Sequence, residues 1–177
     1  MLWEKSYGQK IDRNIKNYLN CELNYENDHL FLTYINENRQ LIKNRPLTFQ
    51  HGDYHTGNMI LNSANKLSII DFNRWSYGDP WEEFNRIDFT AKVSPIFATG
   101  QINGYFANNP PIEFFKLMAL YISVNTLNAL PWAQSYSDKE VKTMKKKAAE
   151  VLKWFDGMEE VVPNWYERNA QEKYDKK

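Results

Sequence analysis

The chain has 177 residues, of which 42% are hydrophobic and 25% charged, the proportions of a globular domain rather than a disordered segment. Lys+Arg and Asp+Glu both number 22, a balance that argues against nucleic-acid recognition by bulk phosphate neutralisation. Cys21 is the only cysteine, so no disulfide can form within the chain and a reducing compartment is expected.

The opening residues, Met1-Leu2-Trp3-Glu4-Lys5, lack the basic-then-apolar pattern of a signal peptide, which makes the cytoplasm the expected location. Residues 3–19 carry Ile11, Ile15 and Tyr18/Leu19 at helical spacing, with Lys and Arg between them, and predict a helix. Asn27-Asp28 has the composition of a helix cap. Leu30, Phe31, Tyr34, Ile35, Leu41 and Ile42 then predict a helix over 28–43, ended by Pro46.

Short elements follow. Residues 47–50 read as a strand, and 58–62 and 67–72 as a hairpin over the polar turn 63–66. The loop 51–57 holds two glycines, which permit backbone angles or close approaches that other residues resist. Asp79-Pro80-Trp81-Glu82 resembles a helix start, with Asp79 as cap, Pro80 at the first helical position and Glu82 reaching back. Ser94-Pro95 begins another helix running to about 106.

Residues 114–130 are apolar nearly all round and predict the central buried helix. Lys116, Asn125 and Asn128, with the short length, argue against a membrane span. Ser137-Asp138-Lys139-Glu140 is a capping box opening an amphipathic helix through Val141, Met144, Ala148, Val151, Leu152 and Phe155. Lys142, Lys145, Lys146 and Lys147 beside that stripe read as a solvated face. The polar tail from Arg168 is expected to fray. The fold class is α+β, mostly helical, in a single lobe over 1–177 with a small hairpin in its first half.

Residues 51–79 carry the chemistry. Asp53, Asn58 and Asp71 stand at the ends of short apolar runs, where a hairpin would bring them together. Two carboxylates and an amide suit a hard divalent cation such as magnesium, and several acids in one cleft call for a cation. A carboxylate near an acceptor hydroxyl, a metal at the phosphates and positioning are the requirements of phosphoryl transfer.

His51-Gly52-Asp53-Tyr54-His55-Thr56-Gly57-Asn58, followed by Ile69-Ile70-Asp71-Phe72 and Gly78-Asp79-Pro80, resembles the aminoglycoside phosphotransferase and choline kinase-like family, which has a protein-kinase-like fold. The resemblance implies that Asp53 is the catalytic aspartate, that Asn58 and Asp71 hold Mg2+, that His51 braces the loop with His55 beside it, and that ATP or GTP is the phosphoryl donor. Asn73 stands where kinases usually have Gly. The implied activity is O-phosphorylation of a small-molecule hydroxyl, on an aminoglycoside-like, other cationic or sugar substrate.

The resemblance covers the family's C-terminal lobe. Nothing before Leu47 supplies a Gly-rich strand–turn–strand, so the nucleotide-binding lobe is expected to be missing, or replaced by a partner such as a second copy, and the chain alone is expected to be inactive. Glu82, Glu83, Asp88 and Asp156 are candidates for an acidic substrate groove. Two other readings stand beside this one. The lobe could be a non-catalytic binding module, or His51, Asp53, His55 and Asp71 could form the metal cluster of a hydrolase.

Overall fold

The computed structural model describes residues 3–167, and the expected fraying from Arg168 lies outside them. The chain falls into two compact units. One joins the residues up to 45 with 111–164, and the other joins 46–110 with the residues from 165.

The first unit is helical. It comprises α1 (Trp3–Leu19), α2 (Asp28–Asn38), α5 (Ile112–Gln134) and α6 (Asp138–Trp154), the intervening α3 and α4 belonging to the other unit. α5 is its axis because its apolar residues leave no polar face. Phe114, Met118, Leu120, Tyr121, Leu127 and Leu130 are all fully buried. α1, α2 and α6 pack around it. Tyrosines anchor the surrounding pieces while keeping their hydroxyls bonded, as buried polar groups must. Tyr25 donates to the Thr126 carbonyl at 3.0 Å and Tyr34 to the Lys116 carbonyl at 3.1 Å. Trp3 Nε1 donates to the Tyr121 hydroxyl at 3.2 Å.

Some local expectations are revised. The second helix ends at Asn38 and tightens into a 3-10 turn over Arg39–Ile42. Asn27 is in the left-handed region (φ 58°) and makes no side-chain cap, while Asp28 accepts from the Tyr18 hydroxyl at 2.8 Å. α5 continues one turn past Leu130, since Pro131 removes only one helical bond near the helix end. Ser137 caps α6 by accepting from the Glu140 N–H at 3.3 Å. Lys142, Lys145 and Lys146 are solvated, but Lys147 is buried.

The second unit carries two antiparallel two-stranded sheets. β1 (Thr48–Gln50) pairs with β4 (Ser76–Gly78), and β2 (Met59–Leu61) pairs with β3 (Leu67–Ile69). The β2–β3 hairpin follows the sequence pattern, with Met59 opposite Ile69 and Leu61 opposite Leu67. The β1–β4 pairing, Thr48 opposite Gly78 and Gln50 opposite Ser76, joins segments 28 residues apart and was not expected.

A 3-10 turn (Glu82–Arg86) leads into α3 (Ile87–Val93), and α4 (Pro95–Tyr105) follows. Ser94 caps α4 by accepting from the Phe97 N–H at 3.2 Å. Trp165 is buried, Tyr166 donates to Asn103 Oδ1 at 2.7 Å, and the Glu167 N–H reaches Thr99 Oγ1 at 3.4 Å, so the segment from 165 is tied to α4.

Leu127 in α5 is fully buried. Leu127→Ala should destabilise the chain by about 2–5 kcal/mol in urea unfolding, whereas a loss under about 1 kcal/mol would contradict this packing.

Candidate phosphotransfer site

The candidate residues lie in the second unit, on the loop between β1 and β2 and just beyond β3. His51 stands at the end of β1 and is 5% exposed. Its Nε2 lies 2.8 Å from the Ile70 carbonyl, and its Nδ1 accepts the Asp53 N–H at 3.2 Å. A carbonyl can only accept, so Nε2 carries the proton and Nδ1 the lone pair. One imidazole thus ties the loop of Asp53 to the chain just before Asp71. The Phe72 ring packs on it, with centroids 4.4 Å apart.

Two further bonds close the arrangement. Asn58 Nδ2 donates to the Asp53 carbonyl at 2.9 Å, and the Ile70 N–H donates to the Asn58 carbonyl at 3.0 Å. Asp53, Asn58 and Asp71 therefore belong to one hydrogen-bonded assembly. Gly52 is needed where it stands. Its φ is +79°, and a Cβ there would lie 2.1 Å from the Arg74 carbonyl oxygen, so the loop meets the segment after Asp71 backbone to backbone.

Glu83 holds the loop from beneath. It accepts the His51 N–H at 2.5 Å and the Gly52 N–H at 2.8 Å. Burial raises its pKa above the ordinary value, against the lowering effect of those two bonds. Gln50 Nε2 donates to the Asp79 carbonyl at 2.7 Å and approaches Glu82 Oε2 at 3.2 Å, and Asn85 bonds Glu82 Oε1 at 2.9 Å.

These contacts correct the acidic-groove expectation. Glu82 and Asp88 are 5% and 2% exposed, inside the unit rather than on a groove wall, and Glu83 is engaged by backbone donors. The Asp79 side chain accepts from the Trp81 N–H at 3.0 Å as expected of a cap, but Glu82 bonds Gln50 and Asn85, so no capping box is shown. The cleft that His51 and Tyr54 line is aromatic. It has a volume of about 620 Å³, and Phe49, Phe72, Phe84 and Tyr105 contribute to its walls.

Two arginines and a histidine surround Asp53, a feature the sequence reading missed. Arg86 Nε lies 3.0 Å from Oδ1, Arg74 Nε 3.9 Å from Oδ2, and His55 Nε2 3.5 Å from Oδ1. Oδ1 is buried and makes no directed hydrogen bond, so the Arg86 contact is one of charge. His55 Nδ1 accepts the Gly57 N–H at 3.0 Å. Burial lowers the His55 pKa from 6.5, with Arg86 adding to the lowering and Asp53 opposing it. The ring is therefore mainly neutral at pH 7. The sequence cue for Arg86 was slight: one arginine between Glu82, Glu83 and Asp88.

The donor set fits a hard cation. Asn58 commits its Nδ2 to Asp53, which leaves Oδ1 as the end able to face a metal. Asp71 is exposed, in the left-handed region at φ 66°, with Oδ1 accepting from Asn73 Nδ2 at 2.7 Å. Magnesium commonly takes one or two protein oxygens and completes its shell with water and phosphate. Among the described residues no three or more His, Cys, Asp or Glu are placed to hold a metal, and both His51 nitrogens are engaged. The hydrolase cluster of His51, Asp53, His55 and Asp71 thus gains no support. No described helix is long and apolar enough to cross a membrane.

Two outcomes follow. Glu83→Ala leaves two backbone donors without their acceptor, and should destabilise the fold by about 1–3 kcal/mol and speed amide exchange at His51 and Gly52. Unchanged exchange at both would contradict the bracing role. For His55, the unfolded chain binds the proton more readily, so this residue's contribution to stability should fall as pH drops below 6.5. His55→Gln should flatten that slope in unfolding titrations. An unaltered slope would count against it.

A family model for the phosphotransferase enzyme family (APH) matches residues 2–115, more than half of the chain. No curated protein and no solved structure matches.

Proposed function

Because the chain belongs to the phosphotransferase enzyme family, we propose that its second unit supplies the acid and metal side of phosphoryl transfer from ATP or GTP to a small-molecule hydroxyl. The observation that carries this reading is the single hydrogen-bonded assembly of Ile70, His51, Asp53 and Asn58 next to Asp71. In this reading the chain corresponds to the C-terminal lobe of a kinase-like fold.

Asp53 is the base. It takes the proton of the acceptor hydroxyl as that oxygen attacks the γ-phosphorus, and the bond to the departing nucleoside diphosphate breaks. His51 holds the loop in one tautomer and is not itself a proton carrier. Its two ring nitrogens are both engaged, so the Asp53 backbone stays fixed while the carboxylate works. Asn58 Oδ1 and the Asp71 carboxylate would hold Mg2+, which when bound neutralises phosphate charge. Gly52 keeps the loop against the Arg74 backbone, and Glu83 fixes it from the other side.

Residues 3–42 form helices and a 3-10 turn rather than a Gly-rich strand–turn–strand. In this reading a further lobe or a second chain covers the nucleotide, and residues 1–177 alone bind it weakly and turn over little or not at all. Glu82, Glu83 and Asp88 are internal or engaged, so selection of a polycationic substrate does not rest on them.

Calorimetric titration with magnesium-ATP tests the proposal. Asp71→Ala should weaken binding about tenfold or more. Asp53→Ala should leave binding within about threefold while lowering transfer by about a hundredfold once the further lobe or second chain completes the nucleotide site. Transfer that survives Asp53→Ala would sink the assignment.

A further inference from the structure

Asp53 poses an electrostatic question that its role as base does not answer. Its side chain is 15% exposed, and it sits beside Asn58, a residue the proposed function gives to the metal. A carboxylate so placed would ordinarily be drawn into the metal's own shell, because divalent cations prefer anionic oxygen to an amide. A base bound to metal is weaker, since the cation withdraws the electron pair that must take the proton. Something must compensate the Asp53 charge in place of the metal.

Three neighbouring groups are available. His55 lies 3.5 Å from Oδ1, but burial lowers its proton affinity and it brings little charge at pH 7. Arg74 lies 3.9 Å from Oδ2, and its side chain is 62% exposed, so water screens it. Arg86 lies 3.0 Å from Oδ1 and is 21% exposed. It comes from the 3-10 turn that also contributes Glu83 to the loop, so one short element fixes both the backbone and the charge of the catalytic segment.

We propose that Arg86 is a positioning residue that reserves Asp53 for the acceptor hydroxyl. It neutralises Oδ1 and keeps the carboxylate out of the metal's shell, leaving Oδ2 as the oxygen that takes the proton. The inference rests on the proposed function, which makes Asp53 the base and Asn58 and Asp71 the metal ligands. Arg86 does not touch the reacting atoms. It acts through Asp53.

The test uses the full chain and manganese, a paramagnetic stand-in for magnesium, with affinity read by electron paramagnetic resonance. Arg86→Met should tighten Mn2+ binding by about tenfold, because an uncompensated carboxylate joins the ligand set. Asp53→Asn in the same chain should abolish that gain, and Arg86→Lys should keep the wild-type affinity to within about twofold. Asp53→Asn alone uncovers the Arg86 charge, so it should weaken Mn2+ binding, but by no more than about threefold. This arm does not depend on whether Arg86→Met folds, which urea unfolding checks separately. The inference is overturned if Asp53→Asn alone weakens Mn2+ binding by about tenfold, since Asp53 would then already be a ligand. It is also overturned if Arg86→Met binds Mn2+ like the wild type, or if its gain persists without Asp53. Failure of the underlying reading looks different: Asp71→Ala would leave Mn2+ affinity unaltered.

Discussion

The candidate site depends on one imidazole. His51 can donate to the Ile70 carbonyl and accept from the Asp53 N–H only in a single neutral tautomer, so its two bonds are made together. They join the end of β1 to the end of β3, two strands that belong to different sheets. Neither sheet is extensive, and each pairing spans three residues per strand. Two-stranded sheets of this size have little stability of their own. Side-chain bonds to the backbone supply the missing order. His51 ties the loop to the strand before Asp71, Glu83 caps the loop's N–H groups, and Gln50 links β1 to the turn after β4.

Around this frame the charges are arranged asymmetrically. The carboxylates on the turn and helix after Gly78 point inward or engage backbone donors, whereas arginines from that turn and from the segment after Asp71 face Asp53. The cleft beside the loop is walled by aromatic rings. The surroundings of Asp53 are therefore cationic and apolar rather than acidic.

Much of the helical framework could be read from spacing. α1 and α6 follow apolar repeats that a helix buries on one side, α5 is apolar nearly all round, and Ser94 and Ser137 announce their helices as caps. The β2–β3 hairpin was legible from two apolar runs across a polar turn. The β1–β4 pairing was not, because Ser76-Tyr77-Gly78 is too short to show a period. The roles of Glu82 and Glu83 were misread for a related reason. Glutamates on a helical segment usually face water, and only the packed loop reveals the backbone donors that Glu83 accepts from and the Gln50 and Asn85 amides that meet Glu82.

The sequence by itself determined what is local and chemically distinctive: the His-Gly-Asp loop, Asn58, the strand leading to Asp71, and membership of a phosphotransferase family. These survive in one dimension because their residue types and spacing are dictated by backbone geometry and by the ligands the chemistry needs. The tertiary structure decided which groups meet across distance: Glu83 beneath His51 and Gly52, the Arg74 carbonyl against Gly52, and Arg86 against Asp53. Such contacts have no period and no fixed separation along the chain. They exist only once packing has brought a turn some 30 residues away against the loop, where burial makes each unpaired donor or charge too unfavourable to leave unmatched.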